Sequence, residues 1–164
     1  MNISYAKEDT LLGTGGALNS FTEYLKDSSF LVVYGDNYLD IDYKDFMKYA
    51  DEMGGLGSIA VFKKINVIGT GIVDFGKDMR VQRFKEKPKK SEVFSHWVNA
   101  GMYFFNQKIF KYIGPGVSDF GFDIIPEMLK NNERLFAYKL KDKVWGIDSL
   151  ELLTQLKSEI SVTK

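Results

Sequence analysis

Two carboxylates carry the first chemical suggestion in this chain. Asp36 follows the apolar run Phe30-Leu31-Val32-Val33-Tyr34 and sits in Gly35-Asp36-Asn37. Asp148 follows Trp145-Gly146-Ile147 and precedes Ser149. Each has the order apolar strand, carboxylate, helix start. In open α/β sheets ligands bind at the carboxyl ends of strands. Carboxylates at neighbouring strand ends can share one Mg²⁺, which in turn holds phosphates. Each aspartate also has a plain structural reading. Gly, Asp and Asn are turn residues, and Asp148 can cap a helix or sit favourably at its N-terminus.

Three further stretches have chemical potential. Gly13-Thr14-Gly15-Gly16 lets a ligand approach backbone amides, with a helix N-terminus just beyond. It is no Walker A loop, because no Gly-Lys-Ser/Thr follows. A dinucleotide fingerprint starting at Gly13 needs a third glycine where Leu18 stands. Asp36 still falls near the place of a ribose-binding acid, so a Rossmann-type NAD-dependent oxidoreductase stays open, as does a loop with no ligand. Glu86 and Lys87 end a strand in Phe84-Lys85-Glu86-Lys87-Pro88. A glutamate there can accept from sugar hydroxyls and a lysine can neutralise a phosphate; a solvated charged loop is the alternative. Asn99-Ala100-Gly101 interrupts an apolar strand. Asn is disfavoured there, and Gly weakens a strand unless something must come close.

The elements that must position these residues alternate. Asn2–Ala6 reads as a strand, followed by the glycine loop. A helix follows with Ala17, Leu18, Phe21, Tyr24 and Leu25 on one face, and then the Phe30 strand, buried on both faces as in a parallel sheet. That order is a βαβ unit. Asp42 reads as the N-cap of a helix carrying Phe46, Tyr49, Ala50 and Met53, ended by Gly54-Gly55. Strands are predicted over 58–62, 69–74, 81–84, 97–105, 135–140 and 144–147. Asp123–Lys130 reads as a helix with Pro126 early, and Ser149 as the N-cap of a last helix. The fold class is α/β, a mostly parallel, mixed sheet flanked by helices, in one domain over residues 1–164.

Composition narrows the function classes. The 164 residues carry 22 basic and 22 acidic side chains, so bulk charge points to no nucleic-acid partner. No apolar run reaches the roughly 20 residues of a membrane span, so no membrane partner is expected. Cysteine is absent, which removes disulfides and thiolate metal sites and is compatible with a cytoplasmic location.

Taken in order, LGTGGAL, VVYGDN, FKEKP, NAGMYFF and WGIDSLE resemble the sugar-phosphate nucleotidylyltransferase family, and most closely its mannose-1-phosphate guanylyltransferase-like members. The resemblance runs from about Ile3 to Leu156. It implies a Rossmann-like nucleotide-diphospho-sugar transferase fold. The implied reaction joins an NTP, GTP by preference, to a mannose- or heptose-type sugar 1-phosphate, with Mg²⁺ as cofactor. By resemblance Gly13, Thr14, Gly15 and Gly16 border the nucleotide. Asp36 and Asp148 bind the metal, and Lys87 places the sugar phosphate. Glu86, Asn99 and Gly101 line the sugar pocket. The family's opening strand and Arg- and Lys-bearing phosphate loop have no counterpart here. The chain is therefore expected to be N-terminally truncated by about 80 residues and to turn over weakly or not at all. A non-catalytic nucleotide- or sugar-phosphate-binding domain is the alternative. Sheet edges left open by missing strands predict a homo-oligomer.

Overall fold

The computed structural model describes residues 2–141 and 144–162. Two short helical segments, α1 (Gly13–Gly16) and α2 (Thr22–Leu25), flank a 3₁₀ turn over Ala17–Phe21 and lead into β1 (Phe30–Val33). Next come β2 (Asn37–Tyr38), α3 (Tyr43–Met53), β3 (Gly57–Lys63), β4 (Ile72–Phe75), β5 (Val81–Lys85) and β6 (Trp97–Phe105). After these come α4 (Ile125–Lys130), β7 (Leu135–Lys139), β8 (Trp145–Gly146) and α5 (Leu150–Val162).

Strand β6 organises the main sheet, which runs β5-β4-β6-β3-β7 with β1 also beside β6. One edge of β6 serves two neighbours. Trp97 and Val98 pair with β4, whereas Met102 to Phe105 pair with β1. The opposite edge pairs with β3. The mixed sheet expected from the sequence is present. Its mostly parallel character holds for strand direction, since β1, β3, β4 and β7 point the same way, but not for pairing. Among the described residues only β3–β7 pairs in parallel, because β6 runs against β1, β3 and β4.

Both faces of the sheet are covered by helical segments. On one, Ile59, Val61, Tyr103 and Phe105 pack against Phe120, Ile124, Ile125 and Met128. The rings of Tyr103, Phe105 and Phe120 stack with centroids 5.2–5.4 Å apart. On the other, Ala60, Ala100, Met102 and Phe104 lie under Phe46 and Ala50 of α3. That helix starts where the sequence places it, with Asp42 Oδ1 accepting from the backbone N–H groups of Lys44 and Asp45. Full burial of Phe46 contributes roughly 1.5–3 kcal/mol.

The amino-terminal expectations need correction. Asn2–Ala6 is not a strand. It has no ladder partner among the described residues, and its apolar side chains Ile3 and Tyr5 are 58% and 90% exposed. The described residues therefore contain no βαβ unit ahead of β1. Nor is β1 buried on both faces: Phe30 is covered, but Val33 is 39% exposed, and β1 pairs along one edge only among the described residues. No helix of the described residues is long and apolar enough to cross a membrane.

Candidate active site

The segments that carry the two aspartates meet at one corner of the sheet. β1 runs out at Tyr34, and the chain turns through Gly35 and Asp36 into β2. Strand β8 pairs with β2, Asn37 opposite Gly146 and Tyr38 opposite Trp145. The carbonyl of Asp36 accepts from the N–H of Ile147 at 2.7 Å. This two-residue ladder places Asp36 and Asp148 on adjacent segments, both exposed. The Asp148 carboxylate oxygens and Asn37 Oδ1 surround Gly146, at 3.5–3.7 Å from where a Cβ would stand. The capping alternative for Asp148 falls to its neighbour: the Ser149 hydroxyl accepts from the N–H of Leu152 at the start of α5. Two carboxylates and an amide carbonyl are hard oxygen donors. That set fits Mg²⁺, which takes one or two protein carboxylates and completes its shell with substrate phosphates and water.

Asp36 also lines a cavity of about 580 Å³, walled by Thr14, Ala17, Leu18 and Phe21 on one side and Val32 to Gly35 on the other. The size suits a nucleotide-sized ligand, and its walls are mainly apolar. The glycines beside it do not form an open loop. Gly13–Gly16 is a helical turn whose Gly15 and Gly16 N–H groups both donate to the carbonyl of Ser118, at 2.9 and 3.0 Å. A Cβ on Gly16 would stand 2.4 Å from the Gly116 carbonyl oxygen, and one on Gly15 2.2 Å from Ile124 Cδ1. These glycines admit close approach, as the sequence reading requires, but what approaches is this chain's own 116–124 segment. Thr14 is the member of the set that faces the cavity.

Glu86 lies near enough to Tyr34 for its charge to act on the phenol. A Cβ on Gly71 would come within 2.6 Å of Glu86 Oε2, and one on Gly121 within 2.3 Å, so two glycines make room for this carboxylate. Burial raises its pKa above the ordinary 4.5, and the charge of Asp119 adds to the effect, while Lys87 opposes it. Asn99 is next to the same Gly71. Its Oδ1 accepts from the N–H of Gly101, and its amide donates to the Tyr103 hydroxyl, which reaches the Tyr34 hydroxyl at 3.3 Å. Burial pushes Tyr34 up and Tyr103 well up, so both rings stay neutral donors and acceptors. Lys87 has φ +44°, unusual for a residue before proline, and its ammonium lies 5.7 Å from the centre of the Phe122 ring. Gly101, at φ +68°, sits in a bulge where β3 advances two residues, Ile59 to Val61, against four on β6, Tyr103 to Asn99. It supports Asn37 and Tyr34 from behind.

Of the sequence-predicted residues, Asp36 and Asp148 lie on paired segments, Thr14 shares the cavity with Asp36, Glu86 and Asn99 gather around Gly71, Lys87 rests on Phe122, and Gly15, Gly16 and Gly101 are buried. Sequence reasoning missed Tyr34, Tyr103, Asp119, Gly71 and Gly121. Tyr34 was visible as a polar-tipped residue at the end of an apolar strand. Asp119 had no comparable signal within its loop.

The chain thus carries a mixed α/β sheet, two aspartates on paired segments at one corner of it, and a nucleotide-sized cavity that one of them lines. The family model described as "Nucleotidyl transferase" matches residues 1–147. The chain belongs to this family, the sugar-phosphate nucleotidyltransferases, and has their Rossmann-like nucleotide-diphospho-sugar transferase fold. It is 31% identical over 160 residues to a glucose-1-phosphate adenylyltransferase of Desulforamulus reducens, covering 90% of this chain and 40% of that protein. It is 32% identical over 145 residues to the mannose-1-phosphate guanylyltransferase catalytic subunit beta of Danio rerio, covering 86% and 39%. Among solved structures, HddC from Yersinia pseudotuberculosis complexed with GMP-PN superposes with a TM-score of 0.74 at 25% identity, covering 93% of this chain and 64% of that one. A putative glucose-1-phosphate thymidylyltransferase from Bacillus anthracis shares the fold, with a TM-score of 0.82 at 18% identity. The chain spans about two fifths of the length of these curated relatives. Family membership sets aside the oxidoreductase alternative. The glycine turn also follows no strand among the described residues, as a dinucleotide fingerprint would require.

Proposed function

We propose that this chain binds a nucleoside triphosphate and a sugar 1-phosphate for nucleotidyl transfer, with GTP and a mannose- or heptose-type phosphate as the pair. A single observation carries the reading. Asp36 lines the nucleotide-sized cavity and is joined through the β2–β8 ladder to the segment bearing Asp148. In the reaction an oxygen of the sugar phosphate forms a bond to the α-phosphorus. The bond from that phosphorus to the bridging oxygen breaks, and pyrophosphate leaves. Asp36 and Asp148 would hold Mg²⁺, whose charge offsets that of the phosphates. Lys87 orients the incoming phosphate, and Glu86 accepts from sugar hydroxyls. The apolar walls at Leu18, Phe21 and Val32 offer the base a face to pack on. Such transfer depends on positioning and charge compensation more than on covalent chemistry. The LGTGGAL sequence and the similarity to a guanylyltransferase support GTP, and the adenylyltransferase relative makes ATP its competitor.

None of the described residues lining the cavity is cationic. Binding is therefore expected with little or no turnover, since missing charge compensation at the reacting phosphorus costs several kcal/mol. A thermal-shift screen of the four NTPs with Mg²⁺ tests the reading. GTP at 100 times its Kd adds about 2.7 kcal/mol, and Asp36→Ala should abolish the Mg²⁺-dependent part. If no NTP raises the melting temperature, the reading fails. Brisk pyrophosphate release from GTP and mannose 1-phosphate, lost in Asp36→Ala, would keep the reading and refute the expectation of weak turnover.

A further inference from the structure

We infer that Thr14 and Asp119 form a clasp that positions the nucleotide side of the site against the sugar side and so couples occupancy of the two. The inference rests on the nucleotidyl-transfer reading above and adds two positioning residues to it. Thr14 lines the nucleotide cavity beside Tyr34, with which it shares a side-chain hydrogen bond, and its hydroxyl also makes two bonds away from the cavity. It donates to Asp119 Oδ2 at 2.7 Å and accepts from the N–H of Phe120 at 2.9 Å. A hydroxyl has one proton to give, so this pair of bonds fixes the orientation of Thr14.

The other oxygen of Asp119 faces the sugar side. Oδ1 accepts from the N–H groups of Gly121 and Phe122, at 2.7 and 3.1 Å, and holds the turn over Phe120–Ile124. Two consecutive residues of that turn touch the proposed sugar-phosphate groups. Gly121 packs on the Glu86 carboxylate so closely that a Cβ there would be 2.3 Å from Oε2. The Phe122 ring lies beneath the Lys87 ammonium. One carboxylate therefore bridges the wall of the nucleotide cavity and the backbone against which Glu86 and Lys87 rest. The carboxylate's negative charge also lies close enough to Glu86 to perturb it. Backbone bonds from Gly15 and Gly16 to Ser118, and from Ser118 to Leu12, anchor the same segment without reaching the sugar side. Removing the Thr14 hydroxyl thus leaves the anchor and cuts the bridge.

The test is a coupling measurement by titration calorimetry. The Kd of mannose 1-phosphate is measured with Mg²⁺, alone and with a saturating GTP analogue bearing a methylene bridge between its α- and β-phosphorus. The unmodified chain is expected to bind the sugar phosphate at least about fivefold tighter when the analogue is present. Thr14→Val should bring that ratio to near one, Asp119→Asn should do the same, and Thr14→Ser should restore it. A ratio retained in both Thr14→Val and Asp119→Asn overturns the clasp and leaves the functional reading intact. Binding of both ligands without any coupling in the unmodified chain also overturns it. Binding of neither ligand overturns the functional reading, and the clasp with it. General destabilisation lowers both affinities but leaves their ratio, and melting curves of all three variants identify any that fail to fold.

Discussion

Substituting Gly101 by Ala tests whether the bend in β6 seats the corner that carries Asp36. Gly101 has φ +68°, which costs an L-residue about 1–2 kcal/mol. The new Cβ would lie 2.4 Å from Asn37 Nδ2 and 2.8 Å from Tyr34 Cδ2. The Asn37 amide can swing away, but it then forfeits its bond to the Ala100 carbonyl, worth about 1 kcal/mol. The Tyr34 ring has less room to move. It packs on Tyr103 with centroids 5.8 Å apart, and the Tyr34 N–H donates to the Gly101 carbonyl itself at 2.8 Å. Overpacking of this kind costs about 1–3 kcal/mol. Together these effects come to roughly 3–6 kcal/mol, a large part of a typical total stability of about 5–15 kcal/mol.

Urea denaturation followed by tryptophan fluorescence and circular dichroism would measure this cost, with Gly69→Ala as the control. Gly69 also has positive φ, at +83°, but its added Cβ would meet nothing within 4 Å. The control should therefore lose only the backbone contribution of about 1–2 kcal/mol. Thermal melts should show the same order, at about 2–4 °C per kcal/mol for a chain of this size. Gly101→Ala should also lose the Mg²⁺-dependent shift with GTP, because the residues it displaces flank Asp36. If Gly101→Ala costs no more than Gly69→Ala, the close approach to Tyr34 and Asn37 has no energetic weight and the reasoning fails.

Glu86→Gln should be more stable than the unmodified protein at neutral pH. The folded state raises the Glu86 pKa, so it favours the protonated form, and stability falls as pH rises through that pKa. The gain from Gln should thus grow from about pH 4.5 upward in melts across pH 4–8, and an unchanged or reversed difference would contradict the assigned burial. The edge of β1 that has no partner among the described residues should drive self-association, visible as a concentration-dependent sedimentation coefficient. Val33→Lys should weaken it by putting a charge on that edge, and a clean monomer of the unmodified chain at high concentration would refute it. Ser149→Ala should fray the first turn of α5 by about 1 kcal/mol, read by amide exchange at Leu152 and Leu153.

What could be read in the residues follows a physical division between local pattern and distant pairing. Phe30–Val33 was legible as a strand because its side chains are apolar and β-branched. Its edge position was not legible, because periodicity reports which face a side chain takes and not which strand lies alongside. Asp42 and Ser149 were legible as caps because a cap is made within three residues. The pattern shared by Asp36 and Asp148 was legible for the same reason. Their meeting depends on a ladder of two residues, Asn37 with Gly146 and Tyr38 with Trp145, too short to leave any alternation. The glycines at 13, 15 and 16 announced a close approach correctly, yet no local rule could tell a ligand from the Ser118 carbonyl. Asp119 is a further case. Its bond to Thr14 spans 105 positions of sequence, and within Ser-Asp-Phe-Gly-Phe it reads only as a turn residue. The contact that ties the two sides of the site together is therefore one that sequence pattern could not reveal, and measuring its coupling energy is the direct way to find out what it does.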